Sequence, residues 1–202
     1  MTAISKALAF VTILWVAFLL NAISPLDFRV FGLIPRDPWG LLGIPLMPLL
    51  HRNVHHLVYN SIGLLVLLTA LHSCVRNPDR VYAACLRIIL ISGCLLWIFG
   101  RGISDNGLLM VHIGASGVVY GLMSFAATCS ILTKNVPLFM FSFFVFAYTG
   151  MSMIDGLLPF QTDISWDGHI AGAIAGIIAA SIDHKDLTCS APPESPSRSL
   201  KS

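Results

Sequence analysis

Six stretches of this chain, 7–26, 53–75, 88–100, 106–133, 135–154 and 168–182, contain no Lys, Arg, Asp or Glu. Charges occur at ordinary density only between them and near the ends. A hydrocarbon layer about 30 Å thick takes roughly 20 mostly apolar residues per helix, so six such runs use most of the 202 residues and leave no room for a sizeable soluble domain. With 56% hydrophobic and 11% charged residues, the chain has about half the charge of an average soluble domain. This excludes a disordered chain, a secreted disulfide scaffold and a DNA-binding module. The reading is all-α: a polytopic membrane protein with a six-helix bundle.

The spans are placed at about 7–23, 54–74, 81–99, 116–133, 137–154 and 168–183. The first exceeds the apolar core of a signal peptide, and Pro25 follows its only small-residue cleavage candidate, so it is read as a retained span. The loop after it carries Pro25, Pro35, Pro38, Pro45 and Pro48 with Trp39 and several leucines. That composition suits an interfacial or half-inserted segment. Arg87 lies near enough to one end of the third span to snorkel. Run 106–133 is too long for one simple span and is split into an inward-dipping loop, 100–115, and the fourth helix. Residues 1–183 form one membrane domain, and 184–202, rich in Pro and Ser, a disordered tail. Cys74, Cys85, Cys94, Cys129 and Cys189 show no metal-ligand spacing and are read as buried thiols.

With the N-terminus cytoplasmic, the inner side holds eight Lys and Arg and the outer side holds Arg29, Arg36, Arg52 and Arg101. The asymmetry puts both termini in the cytoplasm. The net charge of +2 forms no basic face, so no nucleic-acid partner is implied. The absence of an internal repeat, of paired broken helices and of intramembrane carboxylates argues against a transporter.

In this topology the second, fourth and sixth spans start at the outer face, and the unusual polar residues gather at those starts. They are His51, His55, His56 and Asn60 on the second, His112 and Ser116 on the fourth, and Asp167 and His169 on the sixth. A single serine in a membrane helix is commonly a packing residue and a single histidine an anchor. Three clusters in one layer favour chemistry instead. A serine hydroxyl becomes nucleophilic when a neighbouring imidazole takes its proton, and Ser116 with His169 supplies both parts. The Ser116 N–H, the His56 imidazole and the Asn60 amide are candidate donors to an oxyanion. Gly117 and Gly121 face Gly172 and Gly176 at four-residue spacing, which permits close helix contact, and the latter two share the face of His169. His51 and His55 have zinc-capable spacing but lack a third ligand, so no metal is expected.

The pattern His51-x4-His56-x3-Asn60, then Gly114-Ala115-Ser116-Gly117 with Tyr120, then His169-x2-Gly172-x3-Gly176, resembles the rhomboid intramembrane serine proteases over about residues 50–183. The resemblance implies a Ser116–His169 dyad without an acidic third member, Asp167 included. It implies an oxyanion site lined by His56 and Asn60, and Tyr120 stacked on the His169 ring. It also implies a first loop lying in the membrane and a gate at the fifth helix, to which Phe139, Phe141, Phe143, Phe144 and Phe146 belong unless they are lipid-facing bulk. No cofactor is implied. The partners would be transmembrane-helix substrates and the lipid bilayer, here a bacterial inner membrane, with the site opening outward. The family's first-loop Trp-Arg pair has only a loose echo in Arg36-Asp37-Pro38-Trp39, and the acidic/basic pairing near the end of the second helix is replaced by Ser73-Cys74-Val75-Arg76. A catalytically inactive relative that binds transmembrane helices is the alternative.

Overall fold

The computed structural model describes residues 2–74, 79–104, 107–145 and 165–183. Its long elements are six helices: α1 Ala3–Ile23, α2 Val54–Cys74, α3 Asp79–Phe99, α4 Ser116–Leu132, α5 described over Val136–Val145, and α6 Trp166–Asp183. Helix α1 begins four residues before the expected start at residue 7. Thr2 caps it by accepting the Ser5 N–H, so the helix extends past Lys6, the charge that bounds the apolar run. Asn53 caps α2 through its side chain on the His56 N–H, and Asn135 caps α5 on the Leu138 N–H. Each side-chain oxygen satisfies a donor that lacks a partner in the first helical turn.

Three helices, Ala3–Ile23, Val54–Ser73 and Asp79–Phe99, are long and apolar enough to cross a membrane. Their outward faces are apolar as well: Leu8, Ile13, Leu19, Ile62, Val66, Leu86 and Leu90 are all exposed. Helices hydrophobic all round need either a core or a lipid environment around them. Helix α4 occupies the centre, with Val118, Leu122, Phe125, Ala126 and Cys129 buried. Around it pack Leu57, Leu64 and Leu68 from α2, Ala84 and Ile88 from α3, and Ala175, Ala179 and Ala180 from α6. Of the cysteines, Cys85 and Cys129 are buried but Cys94 is exposed, which corrects its reading as a buried thiol. The side chain of Cys74, Cys189 and the expected tail at 184–202 lie outside the described residues.

The first loop is a chain of single turns, Phe28–Phe31, Trp39–Leu42, Gly43–Leu46 and Met47–Leu49. Several hydrogen bonds fasten it. Arg36 donates to the carbonyls of Ile98 and Gly100 at 3.1 and 2.7 Å, and the Trp97 indole donates to the Asp37 carbonyl at 2.8 Å. A guanidinium on the last carbonyls of α3 satisfies acceptors that the helix cannot. Farther along, Leu33 and His112 exchange backbone hydrogen bonds of 3.0 and 2.8 Å. Leu26, Val30, Phe31, Leu42 and Trp39 stay exposed, Trp39 at 79%, so the loop turns an apolar face outward.

The Arg87 guanidinium donates to both oxygens of Asp183, at 2.7 and 2.5 Å, and joins α3 to the end of α6. Asp183 is only 1% exposed, so removing its partner would strand a buried charge. The converse variant Asp183→Ala is expected to lower unfolding stability in detergent by about 1–3 kcal/mol, less than a fully buried pair because Arg87 retains some solvent. A thermal melt of the purified protein measures this, and Arg87→Ala should cost at least as much.

Candidate active site

Ser116 is the first residue of α4 and His169 the fourth of α6. Both therefore stand at the same end of the bundle. Gly117 and Gly121 bring the two helices together: a Cβ on Gly172 would overlap the Gly117 carbonyl, and one on Gly176 would overlap the Gly121 carbonyl and the Ser124 hydroxyl. The Ser124 hydroxyl also bonds across the interface to the Ala173 carbonyl at 2.8 Å. Contact this close is what small residues at four-residue spacing allow.

The consequence is a hydrogen bond of 2.8 Å between Ser116 Oγ and His169 Nε2. With Nε2 accepting the hydroxyl proton, the neutral imidazole carries its own proton on Nδ1. Tyr120, one turn along α4 from Ser116, stacks on the His169 ring with centroids 4.3 Å apart and planes 11° from parallel. His169 is 8% exposed and Tyr120 5%, so the ring is held by packing on one face and by the serine at its edge. Asp167 does not approach this ring as a third member would. Its carboxylate accepts from the Arg101 backbone N–H at 2.8 Å and from the Ser165 hydroxyl at 3.2 Å.

The donor side is built from α2 and the backbone before Ser116. Gly114 has φ +114°, a conformation that side chains rarely adopt, and a Cβ there would collide with the His56 imidazole. Glycine is required on both counts. Ser116 opens its helix, so its N–H has no acceptor one turn behind it. The His56 ring thus packs against Gly114, two residues before the serine, and Asn60 lies one turn farther along α2.

His51 has a part that the sequence reading did not assign. It precedes the first turn of α2, so it has no helical i, i+4 relation to His55, whose side chain is exposed. Instead the Asn60 amide donates to His51 Nε2 at 3.0 Å, and the His51 ring meets His56 edge-on with centroids 5.2 Å apart. One amide proton is thereby committed and the plane of Asn60 fixed, leaving the second proton for another acceptor. The clue in sequence was the run of three histidines next to a helix start, but the pairing depends on the turn at Leu50 to Asn53.

Burial pushes the His51 pKa down to about 4, with the neighbouring His56 acting the same way. The folded protein thus binds a proton at His51 less readily than the unfolded chain. Its contribution to stability is complete above about pH 6.5 and is lost as the pH falls towards 4. The variant His51→Gln keeps an acceptor for Asn60 and removes the titration. Detergent-solubilised His51→Gln is expected to show a shallower loss of melting temperature between pH 7 and 4 than the wild type.

Beside Tyr120 a cavity of about 330 Å³ opens between α4, α5 and α6, lined by Met123, Phe139, Ser142, Phe143 and Ala173 among others. Phe139 and Phe143 belong to the phenylalanine-rich stretch. Phe144 is exposed, Phe141 packs on the core, and Phe146 lies outside the described residues.

An all-helical bundle with apolar outer faces, among the described residues, and a serine–histidine contact at one end is the architecture of an integral membrane protein. A family model, the Rhomboid domain, matches residues 36–186, and the chain belongs to the rhomboid family, whose members are generally intramembrane proteases. It is similar to uncharacterized proteins of mycobacteria. One, Rv1337 of Mycobacterium tuberculosis, is 33% identical over 177 residues, covering 86% of this chain and 72% of its own. Another, ML1171 of Mycobacterium leprae, is 31% identical over 180 residues, covering 86% and 68%.

Proposed function

We propose that this protein is an intramembrane serine endopeptidase that cleaves transmembrane segments of other membrane proteins. The observation that carries this reading is the 2.8 Å contact of Ser116 Oγ with His169 Nε2 beneath a stacked Tyr120. In this reading the hydroxyl proton passes to Nε2 as Oγ bonds to the scissile carbonyl carbon. His169 then returns the proton to the leaving amine, and water cleaves the acyl-enzyme by the same route. The negative oxygen of the tetrahedral intermediate faces the Ser116 N–H, His56 and the uncommitted proton of Asn60. Each donor is worth roughly 2.7–4 kcal/mol at sites of this kind.

Six spans with both termini in the cytoplasm put the dyad just below the outer face of a bacterial inner membrane. That placement rests on the excess of Lys and Arg in the inner loops. A substrate helix has its amides hydrogen-bonded internally, so the scissile stretch must unwind, and small or helix-weakening residues are expected there.

Labelling of the purified protein in detergent with a fluorophosphonate tests the reading without a known substrate. Wild-type protein should be labelled, and Ser116→Ala and His169→Ala should not. Labelling that survives Ser116→Ala overturns the assignment. So does a wild type that neither labels nor cuts a model transmembrane substrate, the behaviour expected of an inactive helix-binding relative.

A further inference from the structure

Four residues before Ser116 stands His112, and four residues before His169 stands Ser165. These two also touch. Ser165 Oγ lies 2.7 Å from His112 Nδ1, nearly the spacing of the dyad one turn away, with the two residue types exchanged between the chain segments. Ser165 is connected to His169 directly, because its carbonyl accepts the His169 backbone N–H at 3.1 Å. His112 is connected to Ser116 through the short run Ile113 to Ala115, which includes Gly114 at positive φ.

The hydrogen-bond roles in this second pair are determined. His112 Nε2 lies 2.9 Å from the Arg101 carbonyl, which only accepts, so Nε2 carries a proton. Burial pushes the His112 pKa below its ordinary value, against the opposing pull of Asp167, so Nδ1 is an acceptor, and the single Ser165 hydroxyl proton is shared between Nδ1 at 2.7 Å and the Asp167 carboxylate at 3.2 Å. Asp167 closes the ring of contacts: it takes the Arg101 N–H at 2.8 Å, sits 3.5 Å from the Arg101 guanidinium and lies 3.2 Å from Ser165 Oγ. His112 is 2% exposed, and its backbone is paired with Leu33 of the first loop. The group spans the first loop, the 101–112 segment, the entry to α4 and the entry to α6.

A second nucleophilic triad is the wrong reading of these residues. The carboxylate contacts the serine rather than orienting the histidine, its 3.8 Å approach to His112 Nε2 is to a proton already given to a carbonyl, and the histidine is sealed from solvent. What the arrangement does is fix distance. Glycine contacts set how closely α4 and α6 pack, and the Ser124–Ala173 bond ties the two helices on one side of the dyad. The Ser165–His112 bond ties the segments that enter them on the other side, one turn before the dyad.

We propose that His112, Ser165 and Asp167 are positioning residues that hold Ser116 and His169 in register, an inference that rests on the hydrolase reading above. They touch neither substrate nor the reacting atoms. Their loss should therefore lower turnover and leave substrate affinity in place, since a misplacement of about 1 Å at a reacting pair is enough for a large rate loss.

The test uses the full chain in detergent micelles, with the rate of fluorophosphonate labelling and the kcat and KM for a model transmembrane substrate as readouts. Ser165→Ala should reduce labelling rate and kcat by about tenfold or more, with KM within about twofold of wild type. Ser165→Thr, which keeps the hydroxyl, should restore most of both. His112→Gln retains a donor for the Arg101 carbonyl but places no acceptor at the position of Nδ1, and should behave as Ser165→Ala does. Wild-type rates in Ser165→Ala or His112→Gln overturn the proposal. So does a threonine variant as slow as alanine, or an effect confined to KM. If Ser165→Ala does not fold, Asp167→Asn and His112→Gln decide on the same thresholds. A wild type that neither labels nor cuts the model substrate overturns the hydrolase reading and this inference together, whereas an active wild type with unaffected variants overturns this inference alone.

Discussion

Replacing Ser116 by alanine is expected to reduce cleavage of a membrane-embedded helix in proteoliposomes by a factor on the order of 10^4 to 10^6, the loss seen when the nucleophile of a serine hydrolase is removed. The fold should be unaffected. Ser116 is at the first position of α4 and carries no capping role, because α4 begins after Ala115 with no side-chain cap. A melting temperature within a degree or two of wild type, together with lost cleavage, is the expected pair of results. His169→Ala should come close to the same rate, because residues that act as one unit do not contribute additively. A double variant no worse than either single one would show that the two work together. Retention of more than about a hundredth of the activity in Ser116→Ala would place the nucleophile elsewhere.

The second large effect is expected from a residue with no polar atom in its side chain. A Cβ at Gly172 would overlap the Gly117 carbonyl, and neither partner is the flexible end of a side chain. Gly172→Val must therefore push α6 away from α4, which widens the 2.8 Å Ser116–His169 contact. Even Gly172→Ala should lose about 10²-fold in kcat, although alanine favours the helix by about 1 kcal/mol over glycine. Exposed Ile174 on the same helix provides the control, since Ile174→Ala leaves that interface unchanged. Cleavage assays and melts of these variants separate a geometric loss from an unfolded protein. Near-wild-type turnover in Gly172→Val would show that backbone contact does not determine the spacing of the two side chains.

Much of this site was legible as spacing. Gly172 and Gly176 follow His169 by three and seven positions, which puts all three on one helical face, and Gly117 and Gly121, just after Ser116, repeat their four-residue spacing. A contact between Ser116 and His169 follows from those intervals once the helices are allowed to touch. The first loop was not legible in this way. Arg36 and Trp97 join positions about sixty residues apart in sequence, through a backbone course that includes Arg36 at φ 59°. No period marks such a contact. The Arg87–Asp183 pair escaped for a related reason: each charge lies at the edge of its own apolar run, where snorkelling is the default expectation, and only the packing of α3 against α6 brings them together. His51 escaped because helical spacing does not apply before the first turn of a helix. His112 was visible as a polar residue in the right layer, but its hydrogen-bond partners Arg101 and Ser165 lie on segments whose approach to one another is set by the tertiary structure.

The Gly114 N–H bonds to the Met47 carbonyl at 2.8 Å, two residues from the nucleophile, and the His56 ring packs against the same glycine. The segment 43–49 is thus tied to the backbone that leads into the nucleophile. Shortening that segment to widen access would leave the chain leading to Ser116 without its foundation.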